Sequence, residues 1–163
     1  MKMAKSTTKN APTEIDLEKI RRFTETELAN LGNSELPICY QIGTDVLVGK
    51  LKVVKVNDKC WSVFDQGQQV FDFFTRKDAI FYCIAVHQKQ YKLANEIKTA
   101  DDLLNKLEFE ATLFRHRYKT ANAKRDDWSA EYYSTKYQET MHKLTKVKKE
   151  LQKSLNLAKY IKV

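Results

Sequence analysis

The stretch from Thr99 to Val163 contains neither Pro nor Gly and carries apolar side chains at coiled-coil spacing. Leu104, Leu107, Ala111, Phe114, Tyr118 and Ala121 follow one another at three- and four-residue steps. That is the seam of a helix burying a narrow stripe against another helix. A second seam runs through Ala130, Tyr133, Tyr137, Leu144, Val147, Leu151, Ala158 and Ile161, with Thr140 and Ser154 on its remaining positions. Met141 and Leu155 lie beside those polar gaps and widen the stripe. The two seams are out of phase, and the break falls over Ala121–Asp127, where Asp126 or Asp127 can cap a new helix.

The expectation is an antiparallel helical hairpin rather than one rod. Thr99, with Asp102 three residues on, reads as the start of the first helix. On that reading the helices run to about 22 and 33 residues, roughly 33 and 50 Å at about 1.5 Å per residue. The longer one then overhangs. Its region, Trp128 to Val163, carries eight Lys against three Glu, which is most of the excess of a chain with net charge +8.

Upstream, residues 1–12 are polar and are expected to be a disordered tail. A head follows over 13–98. Thr13 and Asp16 read as a helix cap, with Leu17, Ile20, Phe23 or Thr24, Leu28 and Leu31 on one side and Gly32-Asn33 as its end. From Pro37 the period shifts towards two. Strands are expected at Ile38–Ile42, Val46–Val56, Cys60–Phe64 and Gln69–Phe74, a four-stranded antiparallel meander. Thr75 and Asp78 form a further cap pattern, opening a helix to about Ile97. Its first half, Ala79–Val86, is apolar nearly all round, so it is expected to lie across the sheet, buried on more than one side. The fold class is therefore α+β: N-terminal helix, meander with a crossing helix, and the C-terminal hairpin over 99–163.

The residue inventory argues against most enzyme classes. All four glycines (32, 43, 49, 67) are isolated, so no phosphate-binding loop exists. Cys83 and His87 share a helical face, with Cys39 and Cys60 upstream, but no two cysteines are close enough for a zinc site; they read as small core thiols. His116 stands between Arg115 and Arg117, which reads as a solvated basic face. The acid pairs Asp101-Asp102 and Asp126-Asp127 read as helix N-terminal acids favoured by the macrodipole. No catalytic residue, cofactor, metal or small-molecule substrate is expected. No apolar run reaches the roughly 18 residues of a membrane span. Three scattered cysteines point to a reducing compartment inside a cell.

Two binding readings remain. In the first, the seam residues Leu104, Leu107, Phe114, Tyr118, Tyr133, Tyr137, Leu144, Val147, Leu151 and Leu155 offer more apolar surface than a two-helix hairpin covers, so the hairpin self-associates or docks on a protein partner. In the second, Lys143, Lys146, Lys149 and Lys153, with Lys50 and Lys52 of the sheet, contact the phosphates of a nucleic acid. Trp128, Tyr132, Tyr133 and Tyr137 either pack the hairpin or stack bases.

Two resemblances bear on this. Trp61-Ser62-Val63 and Phe74-Thr75-Arg76-Lys77-Asp78-Ala79, within Lys50–Ala85, resemble the arm-binding N-terminal domain of phage tyrosine integrases. That likeness implies three strands closed by a helix, with the sheet in a DNA major groove. Here Gln69–Phe73 carries no basic residue, and 35–75 has four Lys against five acids. Tyr40-Gln41-Ile42-Gly43, Trp61, Asp78-Ala79-Ile80 and Ala158-Lys159-Tyr160-Ile161 are similar to small proteins of T-even-like marine tailed phages. This likeness implies a host-cell cytoplasm or virion location and no particular activity.

Overall fold

The computed structural model describes residues 13–14, 16–32, 36–158 and 160–161. The tail at 1–12 and Asn33 lie outside the described residues. In chain order the elements are β1 (Thr13–Glu14), β2 (Arg22–Phe23), α1 (Glu25–Asn30), β3 (Cys39–Ile42), β4 (Asp45–Val48) and β5 (Leu51–Asn57). There follow β6 (Cys60–Asp65), β7 (Gln68–Phe73), α2 (Arg76–His87), α3 (Tyr91–Ala123), α4 (Asp127–Ala158) and β8 (Tyr160–Ile161).

The class is α+β, as expected, but the sheet is larger and mixed. Six strands lie in the order β2-β3-β4-β5-β6-β7, antiparallel except for β2, which runs parallel to β3. β1 and β8 pair separately, Thr13 opposite Ile161 and Glu14 opposite Tyr160. The expected strand Val46–Val56 is two strands. Val46 and Val48 are buried, and so are Leu51 and Val53. The buried parity switches from even to odd across Gly49-Lys50, as a two-residue hairpin loop requires. Gly49 has φ +58°, and a Cβ there would come within 2.5 Å of His87 Nδ1. Only glycine fits that turn.

The N-terminal helix expected over 13–31 is not formed as one element. Thr13 and Glu14 pair with Ile161 and Tyr160. Asp16 closes a turn, its Oδ1 accepting from the Glu18 N–H at 3.0 Å. Phe23 pairs with Ile42 and meets Tyr40 edge-to-face. The true cap is Thr24, whose hydroxyl accepts from the Glu27 N–H at 3.1 Å. The period read in the sequence belongs to a strand and a short helix in succession.

α2 starts at its predicted cap, Thr75 accepting from the Asp78 N–H at 3.1 Å. Asp78 to Ala85 are all buried, because α2 lies between the core face of the sheet and both long helices. The helix stops at His87 rather than Ile97. Lys89 sits in the left-handed region (φ 61°), the Gln90 N–H donates to Ala85 O, and the Lys89 N–H to Val86 O. The same pair of bonds recurs after α3: Asp126 N–H to Ala121 O, Arg125 N–H to Asn122 O, with Arg125 at φ 56°. Both are Schellman caps with a basic residue where glycine is usual.

The first of these caps moves the start of the hairpin. α3 begins at Tyr91, so Thr99 lies inside it. α3 and α4 have 33 and 32 residues, and the expected overhang of a basic C-terminal end is absent. The turn itself falls where the phase break placed it. Asp126 accepts from the Ser129 N–H at 3.2 Å, and the Ser129 hydroxyl first, then this N–H, hold its carboxyl below the usual range.

Candidate functional site: the helical hairpin

The hairpin divides into two halves. Leu93, Ala94, Ile97, Leu104 and Leu107 of α3, with Leu144, Val147, Leu151, Leu155 and Ala158 of α4, belong to one core. That core continues through Ile80, Ile84 and Ala85 of α2 into Val46, Val53 and Val63 of the sheet. Six of the ten seam residues are thus consumed within the chain. The apolar surface of this inner seam is covered by the head, contrary to the expectation that it is left over for self-association.

Between about 108 and 143 the hairpin is outside that core. Here the seam is made of Ala111, Ala121, Ala130 and Thr140, which are buried, and of Phe114, Tyr133 and Tyr137, which are half-buried; Tyr118 is exposed. Phe114 and Tyr133 stack at 6.4 Å, and Tyr132 meets Tyr133 edge-to-face at 5.3 Å. Trp128 lies parallel to Tyr132, with centroids 5.8 Å apart and planes 9° apart. Cations complete the cluster: Arg117 over Tyr133 at 5.7 Å and Lys136 over Tyr132 at 5.6 Å. Yet Trp128 is 75% exposed and Tyr132 46%. The four aromatics therefore split. Tyr133 and Tyr137 pack the hairpin, and Trp128 and Tyr132 form an open platform. Glu131, Thr135, Lys136 and Glu139 join them around a shallow groove of about 460 Å³.

The lysines expected at a nucleic acid do not form one surface. Lys143, Lys146, Lys149 and Lys153 are exposed on α4 and carry no ion pair among the described residues. Lys146, Lys149 and Lys153 are three and four apart, on the side of α4 opposite Leu144, Val147 and Leu151. Lys52 alternates with Leu51 and Val53, so it points away from α2, and it pairs with Asp45 at 3.6 Å. Lys50 lies in the β4–β5 turn. The protein core separates the two sets.

Asp101 sits inside α3 and is 1% exposed, not at a helix start; Asp78, on the facing turn of α2, is 2% exposed. Asp78 Oδ2 and Asp101 Oδ1 are both buried without a hydrogen-bond partner. The Phe74 N–H donates to Asp101 Oδ2 at 2.8 Å. Burial first, and then the Asp78 carboxyl, push Asp101 up to about 8, against the opposing pull of the Phe74 N–H and Lys98. The sequence held a sign of this: Asp101 occupies a seam position between Ile97 and Leu104.

Cys83 is fully buried and burial pushes its thiol well up; Cys39 is raised to about 11 for the same reason, against the pull of Arg76. Among the described residues no group of three His, Cys, Asp or Glu is placed to hold a metal ion, and no helix is long and apolar enough to cross a membrane. Comparison with family models, with curated proteins and with solved structures gives no match.

Proposed function

We propose that the protein is a non-enzymatic interaction protein, with the outer half of the hairpin as its docking arm and a second copy of the chain as its occupant. The observation that carries this is the Trp128–Tyr132 pair. A stacked Trp and Tyr left open to water at the end of a rigid helical arm is the composition of an interface anchor. The groove beside it holds both signs of charge, Glu131 and Glu139 with Lys136, so a two-fold copy would meet opposite charges without a second kind of surface. The likeness to phage proteins makes a virion or a host-cell complex the natural setting.

Light scattering across a concentration series tests it. The wild type should double in mass at tens of micromolar, and Trp128→Ala with Tyr132→Ala should remain a monomer with an unchanged circular dichroism spectrum. A wild-type monomer throughout, or a double variant that still dimerises, would contradict the reading. A Trp61→Phe background makes Trp128 the sole tryptophan, so its emission reports whether the platform is covered.

The second reading, nucleic-acid binding, rests on the exposed lysines of α4, which carry no ion pair among the described residues. It predicts binding that falls steeply with salt, as displacement of counterions from phosphates demands. Loss of salt-sensitive oligonucleotide binding on changing Lys146, Lys149 and Lys153 to Gln would support it; binding unchanged by these substitutions would not.

A further inference from the structure

Two buried aspartates in contact demand a physical explanation. An ionised carboxylate withdrawn from water needs a counter-charge or several donors, and two of them side by side repel. Asp78 Oδ2 and Asp101 Oδ1 are buried and have no hydrogen-bond partner. Asp101 Oδ2 has one, the Phe74 N–H. Lys98, one turn before Asp101 on α3, is the cation that acts on it, but its ammonium is spent elsewhere. It donates to Asp72 O at 2.5 Å and to Asp102 Oδ1 at 2.7 Å, and lies 4.8 Å from the Phe73 ring centroid. From α4, Gln152 faces Lys77 rather than this pair. No other charged group among the described residues is recorded as acting on Asp101.

We propose that Asp78 and Asp101 share one proton, and that this acid pair is a pH-sensitive latch seating α3, and with it the hairpin, on the β7–α2 turn. With the proton in place, one carboxyl donates to the other, and Asp101 remains an acceptor for the Phe74 N–H. The proton thus joins α2 to α3, and Asp101 joins α3 to the end of β7. When the proton leaves, two buried anions face each other and the junction loosens. The latch is closed in mildly acidic and neutral solution and opens on the alkaline side.

The sign follows from linkage. In the fold Asp101 keeps its proton up to about pH 8, while an unfolded Asp loses it near 3.8. Between those values the native state binds more protons, so raising the pH destabilises it, by up to about tenfold in the folding equilibrium per pH unit. Above about pH 8 the loss levels off and the pair is ionised within the fold. This runs opposite to the usual behaviour of carboxylates held by partners.

Urea unfolding from pH 5 to 9 tests the proposal on the full chain, comparing wild type with Asp101→Asn. Asn supplies the same bonds without a titrating proton, its amide donating to Asp78 and its oxygen accepting from Phe74. The ratio of wild-type to variant folding constants should fall continuously from pH 5 to 8. A flat or rising ratio overturns the latch. Should Asp101→Asn fail to fold, Asp78→Asn is expected to give the same falling ratio. On the wild type alone, protection of the Phe74 amide against hydrogen exchange, corrected for the intrinsic effect of pH, should drop between pH 7 and 9; unchanged protection also overturns it.

Discussion

The inner and outer halves of the hairpin share two helices, one turn and one heptad spacing, yet they are built differently. The inner half places Leu, Ile and Val at seam positions, buried in one core that continues through α2 into the sheet. The outer half places Ala and aromatic residues at the equivalent positions. Small residues let the helices approach, and the rings cover what remains only in part. Spacing therefore says which side of a helix is covered, and residue size says by what. A narrow stripe of large aliphatic residues implies a further layer; a stripe of alanines flanked by rings implies a pair standing alone.

That contrast is breakable by mutation. Leu144→Ala, in the inner half, should cost about 2–5 kcal/mol, because it removes a large side chain buried in the shared core. Urea denaturation reads this directly, and a cost under 1 kcal/mol would mean that the inner half is loosely packed. Tyr133→Ala, at an equivalent outer position, should cost only about 1–2 kcal/mol: the loss of one half-buried ring and its stacking. Arg125→Gly should stabilise by about 0.5 kcal/mol. It relieves left-handed strain of about 1 kcal/mol and gives back part of that through the greater freedom of glycine in the unfolded chain. Trp128→Ala should change stability least, by less than about 0.5 kcal/mol, because the ring lies mostly in water. A large loss there would show that the platform is structural and would remove its role as an anchor.

Much of this architecture is legible in the residues, and the failures are instructive. The cap at Thr75, the all-round apolar run of α2 and the phase break at 121–127 each combine a local chemical signal with a periodic one, and each lands where it should. The break between α2 and α3 had no such signal. Lys89 adopts a conformation usually assigned to glycine, so nothing in the residue type announces it, and the error then displaced the helix start, the helix lengths and the expected overhang. Arg125 breaks the same rule, but there the shift in seam phase betrayed the turn. The hairpin at Gly49-Lys50 was readable from the switch in buried parity, which β-branched content alone conceals. β2 was hidden because Phe23 fits a helical period as well as a strand edge.

The functional surfaces divide along similar lines. Sequence spacing brought out the seam, but could not say that the head already fills its inner part. It brought out the aromatic cluster, but not that Tyr133 and Tyr137 turn inward while Trp128 and Tyr132 remain outside. The Asp78–Asp101 pair was missed because adjacent acids near a hydroxyl read so readily as a helix start. An acid standing on an apolar stripe was the signal to follow.

Residue-resolved hydrogen exchange on the native protein tests the division of the hairpin most directly. Amides of Leu93–Leu107 and Leu144–Ala158 should exchange only through global unfolding, with the same free energy as those of α2. Amides between about 112 and 140 should open at lower free energy, as a separate unit. Uniform protection along both helices, or an outer half more protected than the inner, would contradict the account.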